Sequence, residues 1–272
     1  APRPLESFLF QMKIAITGKG GVGKTTVSAL LSYIYSSEGK KVIAVDADPD
    51  ANLAAALGIA GNETEKIRPI AELSELIEER TGAKPGSSGG IFKINPKVDD
   101  IPESFGYRTD GITLLIMGKS KTAASGCYCP ESALLRRLLK HLVTERDEIV
   151  IADMDAGIEH LTRGTAEGVD AFIVAVEPGQ RSLQTAVTVK RLAQGLGVKK
   201  VFVIANKVRN EEDIRFIKNA LTDIEFLGAI SFNNDITDSD VKGLPSYKAS
   251  RQAVEEARKI KENQEKFFDE KP

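Results

Sequence analysis

The chain has 272 residues, 42% of them hydrophobic, with 37 Lys and Arg against 39 Asp and Glu. A chain of this length folds as one or two domains and buries a core without disulfides or a structural metal. Its composition excludes disorder, its net charge of −2 gives no reason to expect a DNA-wrapping surface, and its two cysteines exclude a secreted disulfide scaffold.

Residues 1–11 have neither the basic start nor the apolar core of a signal peptide, and read as a tag remnant or upstream extension. Residues 12–272 then read as a single domain. Short apolar runs predict strands over 12–17, 41–46, 112–117, 148–153, 171–176, 200–205 and 225–230. Helical periodicity falls between them, over 25–37, 69–80, 131–142, 182–195 and 211–221, with a polar terminal helix from about Ser246. The Gly-, Ser- and Pro-rich stretch 81–90 reads as a surface loop. Near-continuous Val, Ile and Ala strands alternating with helices predict an α/β fold, a single doubly wound and mostly parallel sheet covered on both faces. Ligands of such a sheet bind beyond the carboxyl ends of its strands. No run approaches the ~20 apolar residues of a membrane span.

The first predicted strand runs directly into GKGGVGKTT, residues 18–26, and then into a helix. This is G-x-x-x-x-G-K-[ST] in its strand–loop–helix setting, a P-loop for nucleoside triphosphate. Backbone N–H groups around Gly20, Gly21, Val22, Gly23 and Thr26, with the helix N-terminus, suit a phosphate chain. Lys24 is placed to contact the β- and γ-phosphates and Thr25 to hold Mg²⁺. Asp153 ends a hydrophobic strand, where a carboxylate reaches Mg²⁺, and Gly157 follows with the backbone freedom that a γ-phosphate switch needs. Strand-end aspartates also serve as helix caps, a reading that suits Asp50 better than Asp48 or Asp153.

KGGVGKT, with its second lysine Lys19, resembles the deviant P-loop of the MinD, ParA and nitrogenase iron protein superfamily. The resemblance implies that Lys19 crosses a dimer interface to the partner's nucleotide. It also makes Asp48, 24 positions after Lys24 in VDADPD, the water-orienting switch aspartate, so that Lys19, Lys24 and Asp48 carry catalysis. Asn206 and Lys207 look like the superfamily's base-recognition pair. An amide both donates to N7 and accepts from N6 of adenine, and Arg209 stands where a guanine-gripping aspartate would, so ATP is favoured over GTP. AISFNND resembles the second adenine-contacting loop, with Ser231 in place of the expected proline.

The two cysteines form a C-x-C pair, Cys127 and Cys129. In an extended segment both sulfurs project to one side. Two thiolates are half of a metal site, and a two-fold dimer would bring four around one ion, which suits Ni²⁺ or Zn²⁺. Redox or structural thiols are the alternative. His160 reads as a surface or interface histidine before a metal ligand, and His141 as an ordinary residue near a helix C-terminus.

GKGGVGKTT, VDADPD, INPKVDD, GCYCPES, MDAGIEHLTRGTA and NKVRN together resemble CooC-type proteins from about Met12 to the terminal helix. This family comprises the nickel-insertion accessory ATPases of carbon monoxide dehydrogenase. The resemblance implies a cytoplasmic metallochaperone, a homodimer formed on nucleotide or metal binding, with ATP, Mg²⁺ and nickel as ligands. The implied client is carbon monoxide dehydrogenase or an acetyl-CoA synthase, with no nucleic-acid partner. A MinD- or ParA-like positioning switch at a membrane or on DNA is the alternative. The mostly charged end of the chain offers lipid only Phe267 and Phe268.

Overall fold

The structure, a computed structural model, describes residues 12–48, 50–87, 91–118, 129–155, 168–198 and 200–269. Among these, eight strands are β1 (Lys13–Thr17), β2 (Val42–Asp46), β3 (Tyr107–Thr109), β4 (Ile112–Ile116), β5 (Ile149–Asp153), β6 (Ala171–Val176), β7 (Val201–Val208) and β8 (Glu225–Ser231). They make one sheet in the order β3-β4-β2-β5-β1-β6-β7-β8. Every pairing is parallel except β3 with β4. The doubly wound sheet expected from the sequence is therefore present, with one addition. β3 is a three-residue, partly exposed edge strand, too short to leave a period in the sequence.

The principal helices are α1 (Lys24–Ser37), α2 (Ser74–Thr81), α3 (Pro130–Thr144), α4 (Gln180–Gly195), α5 (Glu211–Ala220), α6 (Asn234–Val241) and α7 (Arg251–Asp269). Alternate strand residues divide the core. Ile14, Ile16, Val42, Ala44, Ile149 and Ile151 pack under α1 and α7, while Ala15, Ile43, Val45, Val150 and Ala152 face α2 and α3. Val174, Val203 and Ala205 lie beneath α4 and α5. By the same two-residue period, Asp46 and Asp153 fall on the α1 side of the sheet.

Three departures from the expected elements have local causes. The helix over 69–80 is broken into a short 3₁₀ turn, Ile70–Glu72, and α2. The break lies at Leu73, whose backbone leaves the helical region (φ −82°, ψ 75°), and the preceding turn is tied to the end of β4 by Ala71 N–H donating to the Met117 carbonyl at 3.0 Å. The terminal helix starts as a turn, Ser246–Ala249, after which Ser250 is extended and its hydroxyl accepts from Ala253 N–H at 3.2 Å to start α7. Helix α6 was not expected, and Asn233 starts it by accepting from Asp235 N–H at 2.7 Å. Phe267 and Phe268 do not form a lipid-facing pair. Their rings pack on Phe202 at 5.3 and 6.5 Å, and Phe268 is buried. None of the described helices is long and apolar enough to cross a membrane.

Candidate functional site

The loop between β1 and α1 is shaped by two glycines that no other residue could replace without collision. A Cβ on Gly18 would stand 2.4 Å from the Ala175 carbonyl oxygen of β6. Gly23, the N-cap of α1, is left-handed (φ 90°, ψ 29°), and a Cβ there would meet Asn206 Nδ2 at 2.4 Å. Inside the loop Val22 N–H reaches the Lys19 carbonyl at 3.3 Å, and the Val22 side chain is fully buried.

The end of β7 grips this loop from below. β7 runs to Val208, three residues beyond its expected end, through a bulge between Asn206 and Val208. Lys207 takes a left-handed conformation there (φ 56°), uncommon for a residue with a side chain. Asn206 Nδ2 donates to the Val22 carbonyl at 2.7 Å, and its Oδ1 accepts from Lys207 N–H at 3.0 Å. Lys207 Nζ donates to the Gly21 carbonyl at 2.6 Å. The two residues read from sequence as an adenine contact thus have a loop-fixing role that the reading missed. A contact across 184 positions leaves no signal in local spacing. Nearby, the Arg209 guanidinium lies over the Phe232 ring at 5.2 Å. Ser231, found in place of the expected proline, gives both its N–H and its hydroxyl to Glu256 of α7, at 2.9 and 2.7 Å. Proline could supply neither donor.

Four charged groups and one hydroxyl converge above β1, β2 and β5. Lys24, 6% exposed, lies 3.5 Å from Asp48 Oδ2. Asp46 and Asp153 end adjacent parallel strands in direct register, and neither is exposed at all. Burial pushes the Asp46 carboxyl up to about 6, against the pull of N–H groups from Leu53 and Asp48. Burial pushes Asp153 further, to about 7; the Thr25 hydroxyl and the Lys24 ammonium pull it back, and the carboxylates of Asp46 and Asp48 push it up. Neither oxygen of Asp153 meets a donor in hydrogen-bonding geometry, Thr25 included. An unsatisfied, fully buried carboxylate beside a threonine hydroxyl at a helix start is the donor set that a hard divalent cation requires. Thr25 and Asp153 therefore fit Mg²⁺.

Lys19 is partly exposed. Its Nζ pairs with Glu177 Oε1 at 3.2 Å, just beyond β6 in the same chain. Cys129 is 2% exposed, extended (φ −123°, ψ 156°) and the N-cap of α3, with Sγ 3.0 Å from Ser132 Oγ. The carboxyl end of α3 leads into β5 at the amino ends of the strands. Its 15 residues span about 22 Å, which carries Cys129 to the carboxyl-end side where the loop lies. Cys127, Gly157 and His160 lie outside the described residues. Among the described residues no group of three or more His, Cys, Asp and Glu side chains could hold a metal. His141 sits at the other end of α3, its Nδ1 3.0 Å from Glu145 Oε2.

Known proteins share this sequence and fold. The CobQ/CobB/MinD/ParA nucleotide binding domain matches residues 13–246. The carbon monoxide dehydrogenase accessory protein CooC of Rhodospirillum rubrum is 48% identical over 88% of this chain and 90% of its own length. An ATP-binding protein of Methanocaldococcus jannaschii is also 48% identical, over 90% of this chain and 94% of its own. The septum site-determining protein MinD of Pyrococcus horikoshii, solved with Mg-ADP, superposes with a TM-score of 0.65 over 94% of this chain and 97% of its own, at 20% identity, which speaks for the fold alone. The chain belongs to the CobQ/CobB/MinD/ParA nucleotide-binding family, in the branch of the carbon monoxide dehydrogenase accessory protein CooC.

Proposed function

We propose that the ATPase activity of this chain drives nickel delivery to a carbon monoxide dehydrogenase or an acetyl-CoA synthase, in the cytoplasm, by a homodimer that holds the metal between two C-x-C pairs. The observation that carries this reading is the placement of Cys129 at the start of α3, toward the sheet end that bears the phosphate loop. The likeness to CooC supports the client class.

The chemistry follows from the residues at the carboxyl end. Gly18 and Gly23 let the loop close round a phosphate chain, and Asn206 and Lys207 hold its carbonyls so that little ordering remains to be done on binding. Thr25 and Asp153 would hold Mg²⁺, which neutralises phosphate charge. Lys24, in a site from which water is largely excluded, supplies a cation to the β- and γ-phosphates. Asp48 orients the water whose oxygen bonds to the γ-phosphorus as the bond to the bridging oxygen breaks, giving ADP and phosphate. Lys19 leaves Glu177 to reach the nucleotide of a second copy. Two copies joined at this end would also bring their C-x-C pairs together, so ATP and metal stabilise one associated state and each raises the other's affinity.

Equilibrium dialysis of Ni²⁺ with and without a non-hydrolysable ATP analogue tests this. One metal per two chains, bound more tightly with the analogue and abolished in Cys127→Ser or Cys129→Ser, is expected. One metal per chain, or an affinity indifferent to nucleotide, refutes the shared site.

A further inference from the structure

We propose that Asp46 is a positioning residue of the ATPase site, one that holds the Asp48 loop in place and leaves Mg²⁺ to Asp153. The proposal rests on the reading of this end of the sheet as an ATP-hydrolysing site. Asp46 and Asp153 look interchangeable in the backbone. Both end parallel strands, they are direct neighbours in register, they share the α1 face, and both are fully buried. Their hydrogen bonds separate them. Asp46 Oδ2 accepts from Leu53 N–H at 2.8 Å and Oδ1 from Asp48 N–H at 3.3 Å. Neither oxygen of Asp153 accepts a bond in hydrogen-bonding geometry, and the group beside it is the Thr25 hydroxyl.

The two bonds of Asp46 make a bracket. It spans from the end of β2 to the first residue of the short helical turn Leu53–Ala56, and everything that Asp48 does is suspended within it. Inside the bracket Asp48 Oδ1 accepts from Asp50 N–H at 2.9 Å, while Oδ2 faces Lys24. The position of the Asp48 carboxylate relative to the phosphate lysine is thus fixed by one side chain two residues earlier. Only a carboxylate gives two acceptors in this geometry, since an asparagine would turn an N–H₂ donor against one of the two N–H groups. Misplacement of an aligning group by about 1 Å costs on the order of a hundredfold in rate with little effect on binding.

The test uses the full chain and Asp46→Asn, with Asp153→Asn as reference. Turnover at saturating ATP and Mg²⁺ is expected to fall by about ten- to a hundredfold, with ATP affinity and half-saturating Mg²⁺ held within about threefold. Amide exchange should speed up at Asp48 and Leu53 and stay slow along β5. A rise in half-saturating Mg²⁺ matching that of Asp153→Asn would make Asp46 a metal ligand and overturn the proposal, as would unchanged turnover. Should the variant fail to fold, exchange in the nucleotide-free wild-type chain decides. The Asp48 and Leu53 amides are expected to be protected like strand amides, and exchange at the rate of a free loop refutes the bracket. Wild-type protein that does not hydrolyse ATP would defeat the ATPase reading, whatever its amides do.

Discussion

The two ends of the sheet bury charge to a similar degree and treat it in opposite ways. At the amino end Lys13, 4% exposed, donates through Nζ to the Arg146 carbonyl at 2.9 Å and to that of Glu148. Arg146 in turn pairs with Glu103 and Glu148 and donates to the Asp99 carbonyl. At the carboxyl end Asp153 is fully buried with neither oxygen accepting a bond in hydrogen-bonding geometry, and Lys24 has only a 3.5 Å approach to Asp48. A charge satisfied by its own fold stabilises the fold; one left wanting is available to a ligand, at a cost in stability. The contrast locates the functional end without reference to any motif.

The sharpest way to break this contrast is to exchange the outcomes of two buried lysines. Lys24→Ala is expected to weaken ATP binding by a hundredfold or more, on the scale of two or three lost charge-assisted hydrogen bonds, with the melting temperature of the nucleotide-free chain nearly unchanged. Lys13→Met should do the reverse, losing about 1–3 kcal/mol of stability by leaving two partly buried carbonyls unpaired while ATP affinity stays at the wild-type value. Calorimetry of binding and thermal unfolding of both variants checks the pair, and a stability loss in Lys24→Ala as large as that in Lys13→Met would dissolve the contrast.

A second test asks whether the grip from β7 belongs to phosphate binding. Asn206→Ala is expected to weaken ATP and base-free tripolyphosphate alike, by about tenfold for one lost buried hydrogen bond. Tripolyphosphate binding at wild-type strength would confine Asn206 to the base.

Acidity sharpens the comparison further, because the two ends carry opposite signs. The Asp153 carboxyl is raised from 3.8 to about 7, so the folded chain holds this proton more tightly than the unfolded one. Its contribution to the stability of the nucleotide-free protein therefore falls as pH rises from about 4 to 7. Glu145 is held at about 2, below its ordinary 4.5, first by Arg137 and then by His141. Its contribution is present above about pH 4.5 and lost on acidification toward 2. Thermal unfolding across pH should show the upper limb flattened in Asp153→Asn and the lower limb flattened in Glu145→Gln. The smallest effect belongs to Glu177→Gln: a pair as exposed as Lys19 and Glu177 contributes about 0–1 kcal/mol, so the melting temperature should move by no more than a few degrees.

What the sequence displayed, and what it concealed, follows the reach of each contact. Seven strands were legible because residues such as Ala171 to Val176 are apolar without interruption, as a sheet covered on both faces demands. Lys24 and Thr25 were legible because a P-loop imposes fixed spacing on its own strand and helix, Asp153 because it ends an apolar strand, and Asp48 only through the resemblance to the MinD and ParA superfamily. The break at Leu73 was not, since the turn before it is tied to Met117, more than forty residues on and just past β4. Nor was the bulge at Lys207, whose left-handed backbone serves the carbonyls of Gly21 and Val22. Asp46 was visible as a residue and silent as to its task, because its partners are backbone amides that any residue carries.

The pairing of Lys19 with Glu177 bears on how two copies would recognise each other. A lysine already neutralised on its own chain brings little net attraction to an encounter, since one ion pair must be given up for another. Exchange of this kind is nearly blind to bulk charge and sensitive to shape. A loose anion on the surface of a passing protein would not displace Glu177, whereas a triphosphate held in register, with several oxygens presented at once, would. In the proposed dimer the carboxylate would thus act as a threshold, making the step from solitary chain to pair depend on what occupies the facing loop.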